Sequence, residues 1–501
     1  MLQRKRFIVR IVLLLVFSLI VIKNYNGEIV SINEGAGWDG SGYREVIVDF
    51  ENKYFSGEYS TYHSHRVLPF MITHYAMKAF DIPFTNDNIN KVSSVQNIIL
   101  LVILLVLFFA ISNIQKWKVQ TEIIAFCFTF LNYHVSKFLG YVPIFTDMSA
   151  LVLSYAVVYV FLKYKNTTTW PYVLLCLLGF MTWPVVSLVA FILYTFPTSK
   201  VENTEGNDWF NGIIRTACTI VFPLLFVAYV AYRFRVKHVD SLLDVFYIRP
   251  AINEYMIIPA VIACMAFYWV ATKYISVNWK TVWKEISVRR VLLSGIVFVV
   301  IYKLTEIFGK GNSLLSSEMV SNQFSVLNEL GSMGQFPMTD ILIFVETPFI
   351  YLGLFMVFII VFWKSICYEV TNRYGIGYFF VLLLALLFLA DIETRKLTTF
   401  YPIMLVPLMD IINKLDIKRW AVGLLVAVQA VLSFFWFNIN VPGIQEAFEV
   451  CTTEEYMKFP AQRYYMFQGP WQSHEVYFAA ITVELLLIVC LLCGRKSFVR
   501  T

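Results

Sequence analysis

Long apolar runs recur along almost the whole chain and constrain its fold more strongly than any other feature. The first run extends from Phe7 to Ile22, and comparable runs continue to the last few residues. A bilayer core about 30 Å thick needs about 20 mostly apolar residues per helix, and every backbone polar group inside it must be paired. With 58% hydrophobic and only 15% charged residues, the chain is predicted to be an all-α, polytopic membrane protein.

About fourteen apolar segments are predicted to be helices, and we expect about 12 to 14 of them to span the membrane. They cover residues 7–22, 92–113, 120–136, 148–163, 170–182, 184–197, 212–232, 254–272, 291–304, 340–363, 374–391, 398–412, 420–438 and 476–493. Lysine and arginine cluster at the N-terminus and in the short loops between alternate segments, as cytoplasmic loops do. We therefore expect both termini in the cytoplasm and four larger loops on the outer face, at residues 23–91, 233–253, 305–339 and 439–475.

The composition argues against some partners and compartments. The formal charge of +6 does not indicate nucleic acid, because the basic residues cluster at helix ends, which is a pattern of membrane topology. Of the eight cysteines only Cys451 falls in a predicted outer loop, so no disulfide framework can form there. The lack of disulfides and of long polar tails favours a bacterial inner (plasma) membrane.

The first predicted outer loop holds a carboxylate between two aromatic residues. Trp38 and Tyr43 bracket Asp39 in a glycine-rich stretch. A carboxyl group held near a membrane surface between aromatic walls is partly desolvated, which raises its pKa toward the range useful to a general base. Aromatic faces also suit the apolar face of a sugar ring. The alternative is a simple turn in which Asp39 caps its own backbone.

Residues 66–80 are predicted to form an amphipathic helix that lies in the membrane interface rather than crossing it. Arg66 opens this helix, and its planar guanidinium suits a clamp on a phosphate. The alternative is that Arg66 reaches lipid headgroups. His65 is a candidate contact to the sugar or the acceptor, whereas a zinc site is not expected because a third ligand at suitable spacing is missing.

A second acid, Asp147, follows Thr146 at the predicted outer mouth, where one helix ends and the next begins. The two residues could be no more than an N-terminal cap, a contact worth about 1 kcal/mol. However, Asp39 and Asp147 are both assigned to the same face of the membrane. Two acids that meet at one membrane mouth can share the tasks of positioning and deprotonating a substrate hydroxyl.

Two later outer segments carry further candidate residues. Arg395 and Lys396 lie in a short outer loop between two closely spaced helices, where a lipid phosphate would sit, although Arg395 could simply pair with Glu393. Tyr465 and Trp471 lie in an aromatic, amide-rich stretch of the last outer loop. This stretch would suit a glycan acceptor, or it could form an interfacial aromatic belt.

Together these features resemble the GT-C superfamily of glycosyltransferases, which use polyprenyl-phosphate sugars. The resemblance rests on the long first loop with its Trp-Asp-Gly-x-x-Tyr setting, the Arg-x-Leu-Pro helix, the second acid and the short helix pair at 170–197. It covers residues 1–200, which would form a catalytic transmembrane module, while residues 201–501 would form a variable transmembrane region. The resemblance implies that Asp39 is the base or orients the acceptor and that Asp147 is the second-loop acid.

The chain departs from that family at the break between the two short helices. The family often carries a charged residue there, whereas this chain has Thr182, Trp183 and Pro184. One contact that the resemblance implies is therefore left without a residue.

The leading hypothesis is an inverting hexosyltransferase that moves a sugar from a polyprenyl-phosphate donor to a cell-surface glycan or a lipid-linked acceptor. Such a transfer needs a base for the acceptor hydroxyl, relief of oxocarbenium-like charge and cations for the departing phosphate. The alternatives are a surface-polysaccharide polymerase or ligase and a transporter or lipid flippase, which would repeat its broken helices in both halves. No cofactor is assigned, and a divalent metal is left open. The expected partners are the lipid-linked sugar, the acceptor and membrane lipids.

Overall fold

The computed structural model describes residues 2–30, 32–37, 39–56, 61–201, 209–236, 238, 254–306, 330–331, 333–435 and 474–498. Over these residues the regular structure is helical, without a β-strand. The predicted all-α class is therefore confirmed for them. A helix pairs its backbone groups within itself, which is why apolar runs of this kind fold as helices rather than as open sheets in a membrane.

The N-terminal part folds into short helices between two long ones, followed by a bundle. Its helices are α1 Leu2–Tyr25, α2 Gly40–Val48, α3 Phe50–Phe55, α4 Thr61–Ser64, α5 Val67–Ala79, α6 Asn86–Gln115, α7 Val119–Phe130, α8 Leu139–Tyr141, α9 Asp147–Tyr164, α10 Trp170–Phe180 and α11 Pro184–Thr195. Local sequence sets their ends: α6 begins where the Thr85 hydroxyl accepts a hydrogen bond from Asn88 N at 3.3 Å, and it stops at the left-handed Lys116. The helix predicted at residues 66–80 is confirmed as α5.

The remaining part continues the bundle. Its helices are α12 Trp209–Val236, α13 Glu254–Lys273, α14 Trp279–Glu285, α15 Val288–Glu306, α16 Ile343–Leu352, α17 Leu354–Glu369, α18 Ile376–Phe388, α19 Tyr401–Lys414, α20 Arg419–Phe435 and α21 His474–Phe498. Short 3-10 segments lie at Ile32–Gly35, Phe336–Met338 and Thr394–Phe400, and π-helical turns at His134–Phe138 and Val370–Tyr374.

One predicted segment is wrong as a single helix. Residues 340–363 were expected to be continuous, but the structure divides them between α16 and α17 at Gly353, whose φ is +62°. A left-handed residue cannot continue a right-handed helix, and glycine adopts that conformation without steric cost. A Cβ at Gly353 would also lie 2.7 Å from Gln429 Oε1, so the break is packed against α20.

Seven described helices are long and apolar enough to cross a membrane. They are Arg4–Tyr25, Asn86–Gln115, Asp147–Tyr164, Trp209–Arg235, Tyr255–Lys273, Leu354–Tyr374 and Tyr477–Gly494. An eighth results if Val119–Phe130 and His134–Tyr141, bent by 57°, form one broken span. The chain is thus a multi-pass protein by length and composition, but over the described residues these criteria give fewer spans than the predicted 12 to 14. The difference arises because several apolar segments are short helices of 10–17 residues.

The predicted pair of short helices is confirmed as α10 and α11. They turn at Thr182 and Trp183, after which Pro184 opens α11. The two helices pack closely because a Cβ at Gly179 would lie only 2.8 Å from Ser187 N. Glycine is thus required there by the approach of the two backbones.

Helix α9 defines the two ends of the bundle. Its first residue is Asp147, and Lys165 follows its last residue. With 18 residues it is about 27 Å long, close to the thickness of a hydrocarbon core. Groups that contact Asp147 and groups that contact Lys165 therefore belong to opposite ends.

Candidate active site

A single arginine joins three acids from distant parts of the chain at one end of the bundle. Arg395 Nη1 donates to Asp147 Oδ2 at 3.1 Å, and its Nη2 lies 3.1 Å from Glu393 Oε2 and 3.4 Å from Asp39 Oδ2. We refer to Asp39, Asp147, Glu393 and Arg395 as the acid–arginine cluster. The two acids expected on one membrane face thus lie against the same guanidinium.

The cluster is assembled from helix starts and one tight turn. Asp39 directly precedes α2, Asp147 is the first residue of α9, and Arg395 belongs to the 3-10 segment that packs against α9. Neither Asp39 nor Thr146, the two residues that precede these helices, makes a side-chain capping hydrogen bond. The capping alternative is therefore not realised at these two positions.

A glycine lets the two acid-bearing loops approach each other. A Cβ on Gly40 would lie 2.7 Å from Cγ2 of Ile144, three residues before Asp147. Gly40 lies inside α2 with ordinary helical geometry, so its role is to leave space and not to provide an unusual turn. Gly40 thus serves close packing, whereas Gly37 in the same stretch has a φ of +71°.

Burial differs sharply within the cluster. The side chain of Arg395 is 1% exposed and that of Asp147 is 4% exposed, whereas that of Asp39 is 35% exposed. Asp147 and Arg395 are therefore sealed against each other. Asp39 is the most exposed acid of the cluster, since the side chain of Glu393 is only 18% exposed.

The charges of the cluster stabilise one another's ionised forms. Burial alone would raise the pKa of Glu393, but Arg395, Lys396 and Arg66 outweigh it, so this pKa is lowered. Burial alone would lower the pKa of Arg395, but Glu393, Asp147 and Asp39 outweigh it, so that pKa is raised. These two shifts favour the ionised forms of Glu393 and Arg395.

The loop around Arg395 contains a second ion pair. Lys396 Nζ donates to Asp391 Oδ2 at 3.2 Å and lies 3.7 Å from Glu393 Oε2. Burial is the main reason that the pKa of Asp391 is raised, although Lys396 opposes this effect. The acids Asp39, Asp147, Asp391 and Glu393 thus face two cations of this loop and the nearby Arg66.

Aromatic rings form the walls around these charges. The guanidinium carbon of Arg395 lies 4.9 Å from the Phe145 ring centroid, and that of Arg66 lies 4.3 Å from the Trp183 ring centroid. Arg66 Nη1 also donates to the Tyr43 hydroxyl at 3.0 Å. Arg66 is therefore held beside the cluster by a cation–π contact and a hydrogen bond.

An apolar groove opens beside the cluster. It lies between α5, α6 and α9 and has a volume of ≈ 510 Å³. Its lining includes Leu68, Ile72, Val95, Ile99, Val152 and Leu153. Because Leu68 is two residues from Arg66, one end of the groove lies close to that guanidinium.

The structure describes two of the five residues that were predicted to contact the sugar or the acceptor. Tyr43 lies within the site, where its hydroxyl accepts a hydrogen bond from Arg66. His65 packs against Phe180 and Tyr302: its Nδ1 lies 3.3 Å from Phe180 O, and its ring stacks on Tyr302 at 4.8 Å. The other three predicted contacts, Trp38, Tyr465 and Trp471, lie outside the described residues. Their roles stay predictions.

One member of the cluster and two of its neighbours were not assigned to the site from the sequence. Glu393 was expected only as a partner for Arg395, and Phe145 and Trp183 were not singled out as walls. Trp183 occupies the break between α10 and α11, where the family resemblance implies a charge, and it offers its ring to Arg66 instead. The tryptophan at that break was the sequence feature from which an aromatic contact could have been predicted.

No metal site can be assigned in the part of the chain that the structure describes. No group of three or more His, Cys, Asp or Glu side chains is arranged there to hold an ion. In the acid–arginine cluster the cationic centre between the carboxylates is a guanidinium.

Similarity to known proteins does not identify this site, because no family model, curated protein or solved structure matches the chain. The function of the cluster is therefore inferred from its charges, its aromatic walls and the groove beside it.

Proposed function

We propose that the chain is a GT-C-like, inverting glycosyltransferase of a bacterial inner membrane. It moves a sugar from a polyprenyl-phosphate donor to a surface glycan or lipid-linked acceptor, with the acid–arginine cluster on the extracytoplasmic side and both termini in the cytoplasm. The observation that carries this proposal is the meeting of Asp39, Asp147 and Arg395 at one end of the bundle. An accessible acid beside fixed cations suits a reaction that takes a proton and releases a phosphate.

The donor would lie across the groove and the cluster. Its polyprenyl chain occupies the apolar groove between α5, α6 and α9, and its phosphate meets Arg66 at the end near Leu68. A guanidinium that rests on an aromatic ring and a hydroxyl is already oriented, so less conformational entropy is lost on binding. Lys396 adds positive charge on the other side of Glu393.

In the reaction, the acceptor oxygen attacks C1 of the sugar from the face opposite the phosphate. Its proton passes to Asp39, the C1–O bond to the phosphate breaks, and the polyprenyl phosphate leaves with the bonding electrons. Configuration at C1 is therefore inverted. Asp147 is sealed in the protein and acts as a positioning residue that orients Arg395.

Arg395 links donor binding to the base. Its contact with Asp39, at 3.4 Å, is the longest of its three ion pairs. A donor phosphate that competes for Nη2 would release Asp39 to accept a proton. The donor phosphate would then be bound by Arg66, Arg395 and Lys396 together.

The test is sugar transfer by the purified chain, assayed with a panel of polyprenyl-phosphate sugars. We expect Asp39→Asn to insert normally and to lose about 10²- to 10⁴-fold in transfer rate, the usual contribution of a general base. The matched control is Asp87→Asn, which makes the same change at an exposed ion pair with Lys91 and should retain full activity. Substantial transfer by Asp39→Asn would remove this residue from the role of base.

A further inference from the structure

A second cavity, of ≈ 550 Å³, lies between α10, α11 and α15. Its polar rim contains Thr169, Tyr194, Ser287, Arg289 and Arg290. The rest of its lining is largely apolar, with Val173, Phe191, Leu293, Val297 and Phe298 among the members. One end of this cavity is therefore cationic and rich in hydroxyl groups, and the other is hydrocarbon-like.

This cavity lies at the end of the bundle opposite the acid–arginine cluster. Tyr172, which lines it, donates its hydroxyl to the carbonyl of Lys165, the residue that follows α9. Asp147 begins the same helix about 27 Å away. The cavity is thus separate from the proposed active site and from the groove beside it.

The two arginines are available to an anion. Over the residues that the structure describes, neither Arg289 nor Arg290 forms an ion pair, and Arg290 only approaches the Tyr194 ring, at 6.0 Å. The nearest acid along the chain, Glu285, is bound by the Ser199 hydroxyl. Among the residues that the structure describes, no acidic side chain pairs with the positive charge at this rim.

The apolar part of the cavity is open to the side of the bundle. Leu293, Val297 and Val173 line it, and all three are exposed large hydrophobic side chains. In a protein with several membrane-spanning helices, such a face contacts acyl chains. A ligand that fits both parts must carry a negative charge on one end and a hydrocarbon chain on the other.

We propose that this cavity binds an anionic phospholipid. Its phosphate lies between Arg289 and Arg290, its headgroup hydroxyls contact Thr169 and Ser287, and one acyl chain lies along α15. Basic pockets between membrane helices on the cytoplasmic side are typical sites for such headgroups. Lys280 and Lys284 on the preceding helix α14 add positive charge nearby but do not line the cavity.

The experiment measures equilibrium binding of pyrene-labelled phosphatidylglycerol to the detergent-solubilised full chain, by energy transfer from tryptophan. We expect saturable binding that is clearly tighter than that of pyrene-labelled phosphatidylcholine. The double variant Arg289→Gln/Arg290→Gln should bind about 30-fold more weakly, since each basic residue near an anionic lipid contributes about a factor of five. Val173→Phe, which fills the apolar part from an exposed position without adding a tryptophan donor, should also weaken binding.

The matched control removes the same charge from the neighbouring helix. Lys280→Gln/Lys284→Gln should change the affinity by less than about 3-fold, because these exposed side chains act only through screened charge. An equal loss in this control would overturn the proposal, as would equal affinity for phosphatidylcholine. Complete displacement of the lipid by inorganic phosphate would also overturn it, since the site would then recognise a free anion.

Discussion

The two ends of the bundle both bury acids, but they neutralise them in different ways. In the acid–arginine cluster, one fully buried arginine serves three carboxylates. At the other end, Glu122 is bound by two arginines, with Arg6 Nε at 3.0 Å and Arg10 Nε at 2.7 Å. These arginines are still about one quarter exposed, so water shares in solvating them.

A second acid at that opposite end is also well supplied with donors. Asp410 pairs with Arg373, and it accepts hydrogen bonds from Trp117 Nε1 at 3.1 Å and from the Tyr374 hydroxyl. The side chain of Arg373 is 46% exposed. Three donor residues thus serve one acid there, whereas three acids share one arginine in the acid–arginine cluster.

Under the proposed function, this difference assigns stability to one end of the bundle and chemistry to the other. Acids that are each bound by several donors hold helix ends together, and their carboxylates are not free to accept a proton from a ligand. Acids that compete for one buried cation can exchange partners when a charged ligand arrives. Three variants can break or sharpen this comparison.

The largest effect is expected for Arg395→Met. It leaves Asp147 buried without its cation, so the free energy of unfolding should fall by about 3–5 kcal/mol. Chemical unfolding in detergent, followed by circular dichroism, measures this. The control Arg373→Met should cost only about 1–2 kcal/mol, because Trp117 and Tyr374 still donate to Asp410. Equal losses in the free energy of unfolding for Arg395→Met and Arg373→Met would contradict the difference between the two ends.

A smaller and pH-dependent effect is expected for Glu393→Gln. The folded pKa of Glu393 lies below its ordinary value of 4.5, so its contribution to stability is present above pH 4.5 and is lost as the pH falls through the folded pKa. The variant should be less stable than the wild type by about 1–2 kcal/mol at pH 7, and this gap should close in acid. Unfolding curves at a series of pH values test this; a gap that widens in acid would contradict it.

The smallest effect is expected for Lys414→Met at the opposite end. Lys414 pairs with the buried Glu369, but its side chain is 63% exposed, and Arg373 lies within 3.6 Å of the same acid. The loss should stay below about 1 kcal/mol, as for most exposed ion pairs. The same unfolding measurement applies. A loss as large as that of Arg395→Met would show that single cations also limit stability at this end.

Several parts of the candidate site were predictable from residue types alone. Asp39 and Asp147 were assigned to one end because basic loops fix the direction of each apolar segment. The helix beginning beside Arg66 followed from its apolar periodicity. Arg395 was expected to bind a phosphate or to pair with Glu393, and the structure shows the pair with Glu393. Its contact with Asp147 was not predicted, since no local pattern reports that a residue 248 positions away will bind Asp147.

Other features could not be predicted from local sequence patterns either, because they depend on packing between distant parts of the chain. His65 was expected near the sugar but packs against Phe180 and Tyr302, because a helix that lies between others can turn a side chain to either face. The break at Gly353 was missed because its neighbours are all apolar. The predicted division of the chain near residue 200 stays a prediction, although Arg395 from the second part completes a cluster begun in the first.

The sequence by itself determined that this chain is helical, apolar and multi-pass, because backbone groups in hydrocarbon must pair within their own segment. It also determined which helix ends carry charge. Only the tertiary structure decided that Asp39, Asp147 and Glu393 share one buried arginine. It also decided that two other arginines border a cavity between α10, α11 and α15. Those relations depend on packing between distant helices, and packing is set by the shapes of many side chains together.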